Sequence, residues 1–289
     1  MSGETKRAFR DIVDEAKALG MTHFELETLR LAFAHASQHG GAAFLSIDIE
    51  MWERNKDLLL EFGWSSLEFV KSDESGEVEA RRDTQHVVVR ENLKKRNGKY
   101  SPDNRDNFGY GTSVRLAQPA IYRTLAALVS TLSAHQHLFV IFHDPRADLR
   151  ALDQLGFDTA RDWQTDLRQL GAAADDSTLE EGGKVWVVDT QRLFSAWLNR
   201  RSQIGLEKAC AEVKVPTKRE HLHNAANDAH YTLNLFERLM NRKRTPVPHS
   251  PLVLELDARA KAEAERKRKQ AIVKDKRAAE QKEQQALKR

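Results

Sequence analysis

The sequence is poor in cysteine, and its apolar residues do not gather into long runs. It has one cysteine, Cys210, so no disulfide can form within the chain, and a reducing compartment is favoured. No stretch approaches the roughly 18 apolar residues that a membrane-spanning helix needs. The first residues, MSGETKRAFRD, lack the apolar segment of a secretory signal peptide. We therefore expect an intracellular protein of the nucleus, the cytoplasm or both, without a membrane partner.

A large net charge is also absent, because the formal net charge of the 289 residues is only +3. The charge is unevenly spread, with 12 Lys/Arg and 6 Asp/Glu from Asp257 to the end, so this tail carries about +6 and the rest about −3. The tail has almost no large apolar residues and cannot form a core. We expect it to be a solvated helix or a disordered segment.

The remaining chain alternates strand and helix patterns. Apolar residues at helical spacing predict two helices, 5–19 and 22–40, which would form a hairpin. The order of the later segments predicts an α/β fold, with a mixed five-stranded sheet flanked by helices. The predicted strands are FLSIDIE (44–50), WSSLEFV (64–70), HVVVREN (86–92), LFVIF (138–142) and VWVVD (185–189). The predicted regions are an N-terminal helical extension (1–40), a main domain (41–245) and a basic C-terminal tail (246–289).

Two carboxylates stand at the end of the first predicted strand. Asp48 and Glu50 in FLSIDIE are two residues apart, so strand geometry puts both on one face. Like charges so close repel each other. Most D-x-E pairs at strand ends are solvated, so this pair alone is weak evidence of a site.

Two later segments add candidate ligands. Asp148 follows the strand LFVIF, at the kind of strand end where α/β sheets carry their sites, although the macrodipole would stabilise an aspartate at a helix start without any function. Asp228 lies beside the apolar stripe of the last helix, five residues after His223. A buried carboxylate there needs a partner, and no Lys or Arg occurs from His221 to Phe236. Either a bound metal or a helix-cap hydrogen bond would give the Asp228 carboxylate that partner.

In their order, these residues resemble the three motifs of the DEDDh exonucleases of the ribonuclease H-like superfamily. Those motifs are D-x-E on the first strand, Asp after a middle strand and H-x4-D on the last helix. HDPRADLRAL keeps the family's spacing from His143 to Asp148, so Asp148 and not Asp144 takes the ligand position. WVVDTQRLF resembles the family's strand and turn, in which Asp189 is structural. The resemblance covers about residues 42–240.

This resemblance implies a metal-dependent 3′–5′ exonuclease acting on single-stranded nucleic acid, with RNA favoured over DNA. Asp48, Glu50, Asp148 and Asp228 would share two Mg²⁺ or Mn²⁺ ions. Those ions would offset the repulsion between Asp48 and Glu50. His223 would act as the general base, a role that suits histidine because its imidazole titrates near neutral pH.

Three further residues are expected to contact the substrate. Met51 and Trp52 stand where the family usually has a small polar residue after D-x-E, and Trp52 could stack on a terminal base or simply pack in the fold. His143 of the second motif is the third. The segment RENLKKRNGK (90–99) carries five Lys/Arg; it could follow a phosphate backbone or be a solvated loop.

The stretches EFGWSSLEF, HVVVRENLKKRN and DNFGYGTS are similar to a fungal subgroup of exonuclease-like proteins. That subgroup is related to a yeast factor linked to mRNA export. The resemblance therefore implies a protein partner in RNA processing, and it leaves open a non-catalytic nucleic-acid-binding or adaptor protein in mRNA export or RNA silencing. Five intact site positions favour an enzyme. The H-x4-D helix argues against a transposase-like nuclease of the same broad fold.

Overall fold

The computed structural model describes residues 24–72, 76–134, 137–170, 184–198, 203–241, 243, 245 and 265–266. The predicted helix over residues 5–19 lies outside these residues, and so does nearly all of the basic tail. Internal contacts divide the chain into Met1–Pro246 and Val247–Arg289. Of the second unit, only Glu265 and Arg266 are described, and both are helical. The three predicted regions stay a prediction.

A mixed seven-stranded sheet forms the centre of the first unit, in the order β4-β3-β2-β1-β5-β7-β6. The β1–β2 and β2–β3 pairs are antiparallel, and the other neighbours are parallel. The strands are β1 (Ala42–Trp52), β2 (Asn55–Lys71), β3 (Val78–Val89), β4 (Val114–Leu116), β5 (His137–Phe142), β6 (Trp163–Gln164) and β7 (Val185–Asp189). The predicted α/β class and mixed sheet are confirmed. The count of five strands is too low, because the edge strands β4 and β6 are too short to give a periodic pattern.

Helices cover both faces of the sheet, and seven of them lie in the described part of the chain. They are α1 (Phe24–His39), α2 (Gln118–Ser133), α3 (Arg146–Leu155), α4 (Thr159–Asp162), α5 (Thr190–Trp197), α6 (Leu206–Glu212) and α7 (Ala225–Met240). The second predicted helix, the helix after LFVIF and the last helix are present as α1, α3 and α7. Cys210 of α6 is fully buried, as a small core residue would be.

The central strand β1 separates two packing layers. Its odd-numbered residues join the core with α2 and α3: Ala43, Leu45, Ile47 and Ile49. Phe44 points to the other face, where its ring centroid lies 5.3 Å from that of Phe236 in α7. Since side chains alternate along a strand, Asp48 and Glu50 share the face of Phe44. The alternation thus directs both carboxylates towards the layer that contains α7.

Candidate active site

The end of β1 holds a carboxylate from α3 beside its own two. Asp48 is paired with Gly63 and Glu50 with Glu61 across the β1–β2 ladder. The ladder between β1 and β5 stops at Ser46, so the backbone of Ile49 lies beyond it. The Ile49 N–H donates to Asp148 Oδ1 over 2.9 Å, which ties the start of α3 to the strand between Asp48 and Glu50.

The start of α7 brings the fourth carboxylate to the same place. Asn224 caps this helix by accepting from the Asn227 N–H, so Asp228 is not the cap. Asp228 is 8% exposed, and its Oδ2 accepts from the His223 N–H over 2.9 Å. Its Oδ1 is buried and has no hydrogen-bond partner among the described residues. A buried, unpartnered carboxylate oxygen is costly, and a bound cation would satisfy it.

His223 lies at the rim of this carboxylate cluster. Its backbone has a φ of 62°, in the left-handed region that few residues other than glycine adopt. One ligand atom each from Glu50, His223 and Asp228 lie within 4.8 Å of one another. The His223 residue is exposed while Asp228 is buried, so the histidine lies at the solvent side of the cluster.

Burial raises the pKa of all four carboxyl groups in the cluster, and repulsion from nearby carboxylates, inside or outside the cluster, adds to the effect. Burial first, and then the charges of Asp148 and Asp228, hold the pKa of Asp48 well above its usual range. Burial and the charge of Glu61 raise the pKa of Glu50 to about 8. Burial raises the pKa of Asp148 to about 7 and that of Asp228 to about 7. Perturbed carboxyl groups gathered in this way are typical of functional sites.

The donor set fits hard divalent cations. Asp48, Glu50, Asp148 and Asp228 offer carboxylate oxygens, which Mg²⁺ and Mn²⁺ prefer. Lys56 lowers the pKa of Glu50, but it is the last of the main influences on that group. Lys56 therefore does not offset the repulsion at Glu50, and bound cations would do so.

A buried ion pair behind the cluster was not predicted from the sequence. Glu61 accepts from Arg105 Nε over 3.2 Å and contacts His86 Nε2 at 3.1 Å. Arg105 also donates to the carbonyl oxygens of Leu93 and Lys95. Glu61 and Arg105 are each 3% exposed. The signal in the sequence was a glutamate inside the otherwise apolar run LLLEFGW, which needs a buried partner.

The polar loop after β3 braces the segment that carries His223. The Asn104 side chain donates to the Leu222 carbonyl oxygen over 2.6 Å. Further along, the Asn227 side chain donates to the Asn107 carbonyl oxygen over 2.9 Å. Amide side chains of this loop and of α7 together hold the approach to α7 in place.

The other residues of the predicted motifs lie outside the cluster. Both ring nitrogens of His143 are engaged by the protein, Nδ1 with Thr190 Oγ1 at 2.9 Å and Nε2 with the Ile204 carbonyl oxygen at 2.7 Å. Both ring nitrogens of His143 are thus occupied by protein groups, and its expected substrate contact stays a prediction. Asp189 caps α5 and accepts from the Asp144 N–H, as expected of a structural turn residue.

Met51 and Trp52 continue β1 directly beyond Glu50, and both are half-buried. The Met51 carbonyl oxygen accepts from the Asn97 side chain over 3.1 Å. The Trp52 indole N–H donates to the Arg96 carbonyl oxygen over 3.2 Å. Both residues therefore contact the basic loop after β3 and lie next to the cluster.

The fold is α/β with a mixed sheet, and carboxylates from β1, α3 and α7 gather at one strand end beside a histidine. This combination defines the class of ribonuclease H-like nucleases. Within that class the chain belongs to the DEDDh exonucleases. Residues 43–239 match the family model described as "DNA polymerase III subunit epsilon-like, C-terminal domain". DEDDh exonucleases use divalent metal ions, and the family resemblance predicted from the motifs is confirmed.

Two individual proteins are similar to the chain. An uncharacterized nucleolar protein of Schizosaccharomyces pombe is 24% identical over 206 residues, which cover 69% of each chain. The zinc-bound E. coli ExoI–single-stranded DNA complex matches with 12% identity and a TM-score of 0.38, over 71% of this chain and 41% of that one. The chain thus spans less than half the length of this solved relative. In the part of the chain that the structure describes, no helix has the length and apolar character that crossing a membrane requires.

Proposed function

We propose that the protein is a 3′–5′ exonuclease that hydrolyses single-stranded nucleic acid, RNA in preference to DNA, with two divalent metal ions. The observation that carries the proposal is the meeting of Asp48, Glu50, Asp148 and Asp228, with Asp228 Oδ1 buried and unpartnered among the described residues. Four carboxylates so close together do not stabilise the fold, because burial and the charges of nearby carboxylates raise the cost of ionising them.

The four carboxylates would hold the two ions, Mg²⁺ or Mn²⁺. Bound ions would stabilise the negative charge that develops on the phosphodiester during an in-line displacement. Asp148 also accepts from the Ile49 N–H, and Asp228 accepts from the His223 N–H. Each of these hydrogen bonds leaves the second carboxylate oxygen for a ligand and fixes the direction in which it points.

His223 would take the proton from the attacking water. Its exposed ring lies beside Glu50 and Asp228, within reach of a water molecule at the mouth of the cluster. The backbone hydrogen bond to Asp228 holds the residue at this position. A general base placed in this way contributes about 10²–10⁴-fold to a hydrolysis rate.

The relative from Schizosaccharomyces pombe is described as nucleolar, and this supports a nuclear location and an RNA substrate. A protein partner in RNA processing belongs to the same proposal. The substrate preference has a direct test, because RNA and DNA oligonucleotides of one sequence can be compared with the same enzyme preparation.

The test uses the purified full chain with 5′-labelled RNA and DNA oligonucleotides in Mg²⁺ and in Mn²⁺. Wild type should shorten them from the 3′ end in single-nucleotide steps. Asp48→Asn and Asp228→Asn should remove the activity while leaving the circular dichroism spectrum unchanged. Asp83→Asn, at an exposed aspartate that accepts from the Gln85 side chain, is the matched control and should cleave normally.

Three other outcomes would each reject a part of the proposal. If wild type and variants are equally inert on both nucleic acids with both metals, an adaptor protein on this fold is the better account. Internal cleavage in place of stepwise shortening would point to a different two-metal nuclease. Faster hydrolysis of DNA would reject the RNA preference alone.

A further inference from the structure

A basic loop is attached along the end of the strand that carries the first two carboxylates. We define the platform loop as residues 94–101. Asn97 bridges it to β1, because its side chain donates to the Met51 carbonyl oxygen over 3.1 Å and accepts from the Glu53 N–H over 2.8 Å. The indole N–H of Trp52 donates to the loop as well. All three residues that follow Glu50 are thus bonded to the platform loop.

The carboxylate of Glu53 fixes the conformation of this loop. It accepts from the backbone N–H groups of Lys99 at 3.1 Å, Tyr100 at 2.7 Å and Ser101 at 3.0 Å. These hydrogen bonds hold the pKa of Glu53 below its usual range. A turn held by three donors to one carboxylate is ordered before any ligand binds, so its side chains are presented in fixed positions.

The ordered loop leaves a tyrosine ring in solvent. Tyr100 is 71% exposed, more than any other large apolar side chain in the described ranges. Tyr110 is 40% exposed, but its ring stacks on that of His230 at 3.7 Å. Burying Tyr100 against a ligand would remove an apolar surface from water that the protein itself leaves uncovered.

Two lysines cover the aromatic rings of this surface. The Lys95 ammonium lies 4.4 Å from the centroid of the Trp52 ring, and the Lys99 ammonium lies 4.9 Å from that of Tyr100. Neither lysine forms an ion pair within the described ranges. Arg96 differs, because it is already paired with Asp103 and Asp106. Aromatic rings alternating with free cations are what proteins use to bind single-stranded nucleic acid.

We propose that Trp52, Lys95, Lys99 and Tyr100 form a single-strand binding platform for the nucleotides upstream of the bond that is cut. This inference rests on the proposed function, since the position of the platform has meaning only beside the carboxylate cluster. Trp52 lies two residues beyond Glu50, about 7 Å along an extended strand. One base would stack on each ring. The lysine ammonium groups would move from the ring faces to the neighbouring phosphates, as their flexible stems permit.

The platform explains why a single strand would be preferred over a duplex. Bases in a duplex are stacked on one another and offer no free face to an aromatic side chain. The contact is to a ring face and a phosphate, which RNA and DNA share. The platform therefore selects single strands, and it does not by itself choose between the two sugars.

The binding test uses the full chain with metal chelated, so that labelled strands are not degraded. Fluorescence anisotropy measures affinity for 5′-fluorescein dodecamers of uridine and of thymidine, and for a duplex. Tyr100→Ala should weaken binding of both single strands about tenfold, and Tyr100→Phe should bind as wild type does.

Lys95→Gln and Lys99→Gln should each lower the salt dependence of binding by about 0.7 in logarithmic slope. The matched control is Lys71→Gln, an exposed lysine at the far end of β2, and it should change neither quantity.

A second measurement separates the platform from the chemistry. The p-nitrophenyl ester of thymidine 5′-monophosphate carries one nucleotide and no upstream base that could stack on Tyr100, so Tyr100→Ala should hydrolyse it in Mn²⁺ at the wild-type rate. The platform is rejected if Tyr100→Ala binds dodecamers as wild type does, if a duplex binds as tightly as a single strand, or if ester hydrolysis falls together with binding. If wild type hydrolyses the ester but Tyr100→Ala binds the dodecamers as tightly as wild type does, the nuclease proposal holds and the platform is rejected. If wild type hydrolyses no substrate but Tyr100→Ala weakens the binding of dodecamers, the platform proposal holds and the nuclease proposal is rejected.

Discussion

Gly63 of β2 lies against the backbone of Ala225 at the start of α7, so closely that a Cβ atom on Gly63 would overlap the backbone atoms of Ala225 and Ala226. Gly63 is also the partner of Asp48 in the β1–β2 ladder. One glycine therefore sets the distance between the strand that carries Asp48 and the helix that carries Asp228. The overlapping atoms belong to the backbone, so a larger residue could be accommodated only if the helix moved.

Gly63→Ala should therefore displace the start of α7 and separate Asp228 from Asp48. We expect a loss of nuclease activity of at least about 100-fold, the scale of a misplacement of about 1 Å. Overpacking should lower the free energy of unfolding by about 1–3 kcal/mol. Gly205→Ala is the matched control, since a Cβ there would meet nothing within 4 Å. Normal activity in Gly63→Ala would mean that the helix start does not set the geometry of the site.

The buried pair of Glu61 and Arg105 should be far more sensitive to mutation than an exposed pair. Arg105→Met would leave Glu61 buried with only His86 as its side-chain partner, and this should lower the free energy of unfolding by about 3–5 kcal/mol. Arg81→Met breaks the exposed pair with Glu79, whose side chains are 61% and 69% exposed, and should cost less than about 1 kcal/mol. Urea unfolding measures both. Equal effects of the two substitutions would contradict the expectation.

Replacing both partners of the buried pair separates pairing from packing. The double variant Glu61→Leu/Arg105→Leu leaves no uncompensated charge, so it should lose less stability than the sum of the two single variants. Additive losses would mean that the two side chains contribute independently.

The stability of the metal-free protein should fall as the pH rises towards 8. The pKa of Glu50 is raised from an ordinary value of 4.5 to about 8, so between these pH values the folded state holds a proton that the unfolded state has released. Each step up in pH then favours unfolding, until the folded state also ionises. Glu50→Gln should flatten this dependence and raise Tm at pH 8, by about 2–4 °C for each kcal/mol of repulsion removed.

Two controls accompany the pH series, which is measured by thermal melts in a chelator. Glu79→Gln, at an exposed position on β3, should leave the pH dependence as in wild type. Added Mg²⁺ should raise Tm more at pH 8 than at pH 5, because protons compete with the cation for the carboxylates. A Tm that rises from pH 5 to pH 8 in chelator would contradict the expected repulsion.

Much of the candidate site could be predicted because its residues are tied to local patterns. The period of two along β1 puts Asp48 and Glu50 on one face, and the predicted strand VWVVD, apolar up to its final aspartate, coincides with β7 (Val185–Asp189). The apolar stripe of α7 placed Asp228 beside the sheet. In each case neighbouring residues in the sequence are neighbours in the structure, so periodicity is enough to locate the side chain.

Other features depend on contacts between distant segments, which periodicity cannot reveal. Glu61 and Arg105 are 44 residues apart, and Asn104 meets Leu222 across 118. His143 fits the family spacing, but its ring is taken up by groups on two later segments. The sequence of the basic segment 90–99 is compatible with a phosphate track and with a solvated loop, because its attachment to Glu53 is a contact between segments distant in the sequence.

The backbone of His223 allows its side chain to be removed without strain. Its φ of 62° lies in the region that favours glycine, so His223→Gly should leave the free energy of unfolding within about 1 kcal/mol of wild type. Without the imidazole, hydrolysis should slow by about 10²–10⁴-fold. Added imidazole should restore part of the rate, more at pH 8 than at pH 6, because only the neutral ring accepts a proton. Lys214→Gly, at a φ of 59°, removes a side chain at the same backbone conformation and should hydrolyse normally. An active His223→Gly, or an inactive one that imidazole does not restore at any pH, would exclude His223 as the base and would assign proton removal to another group at the carboxylate cluster.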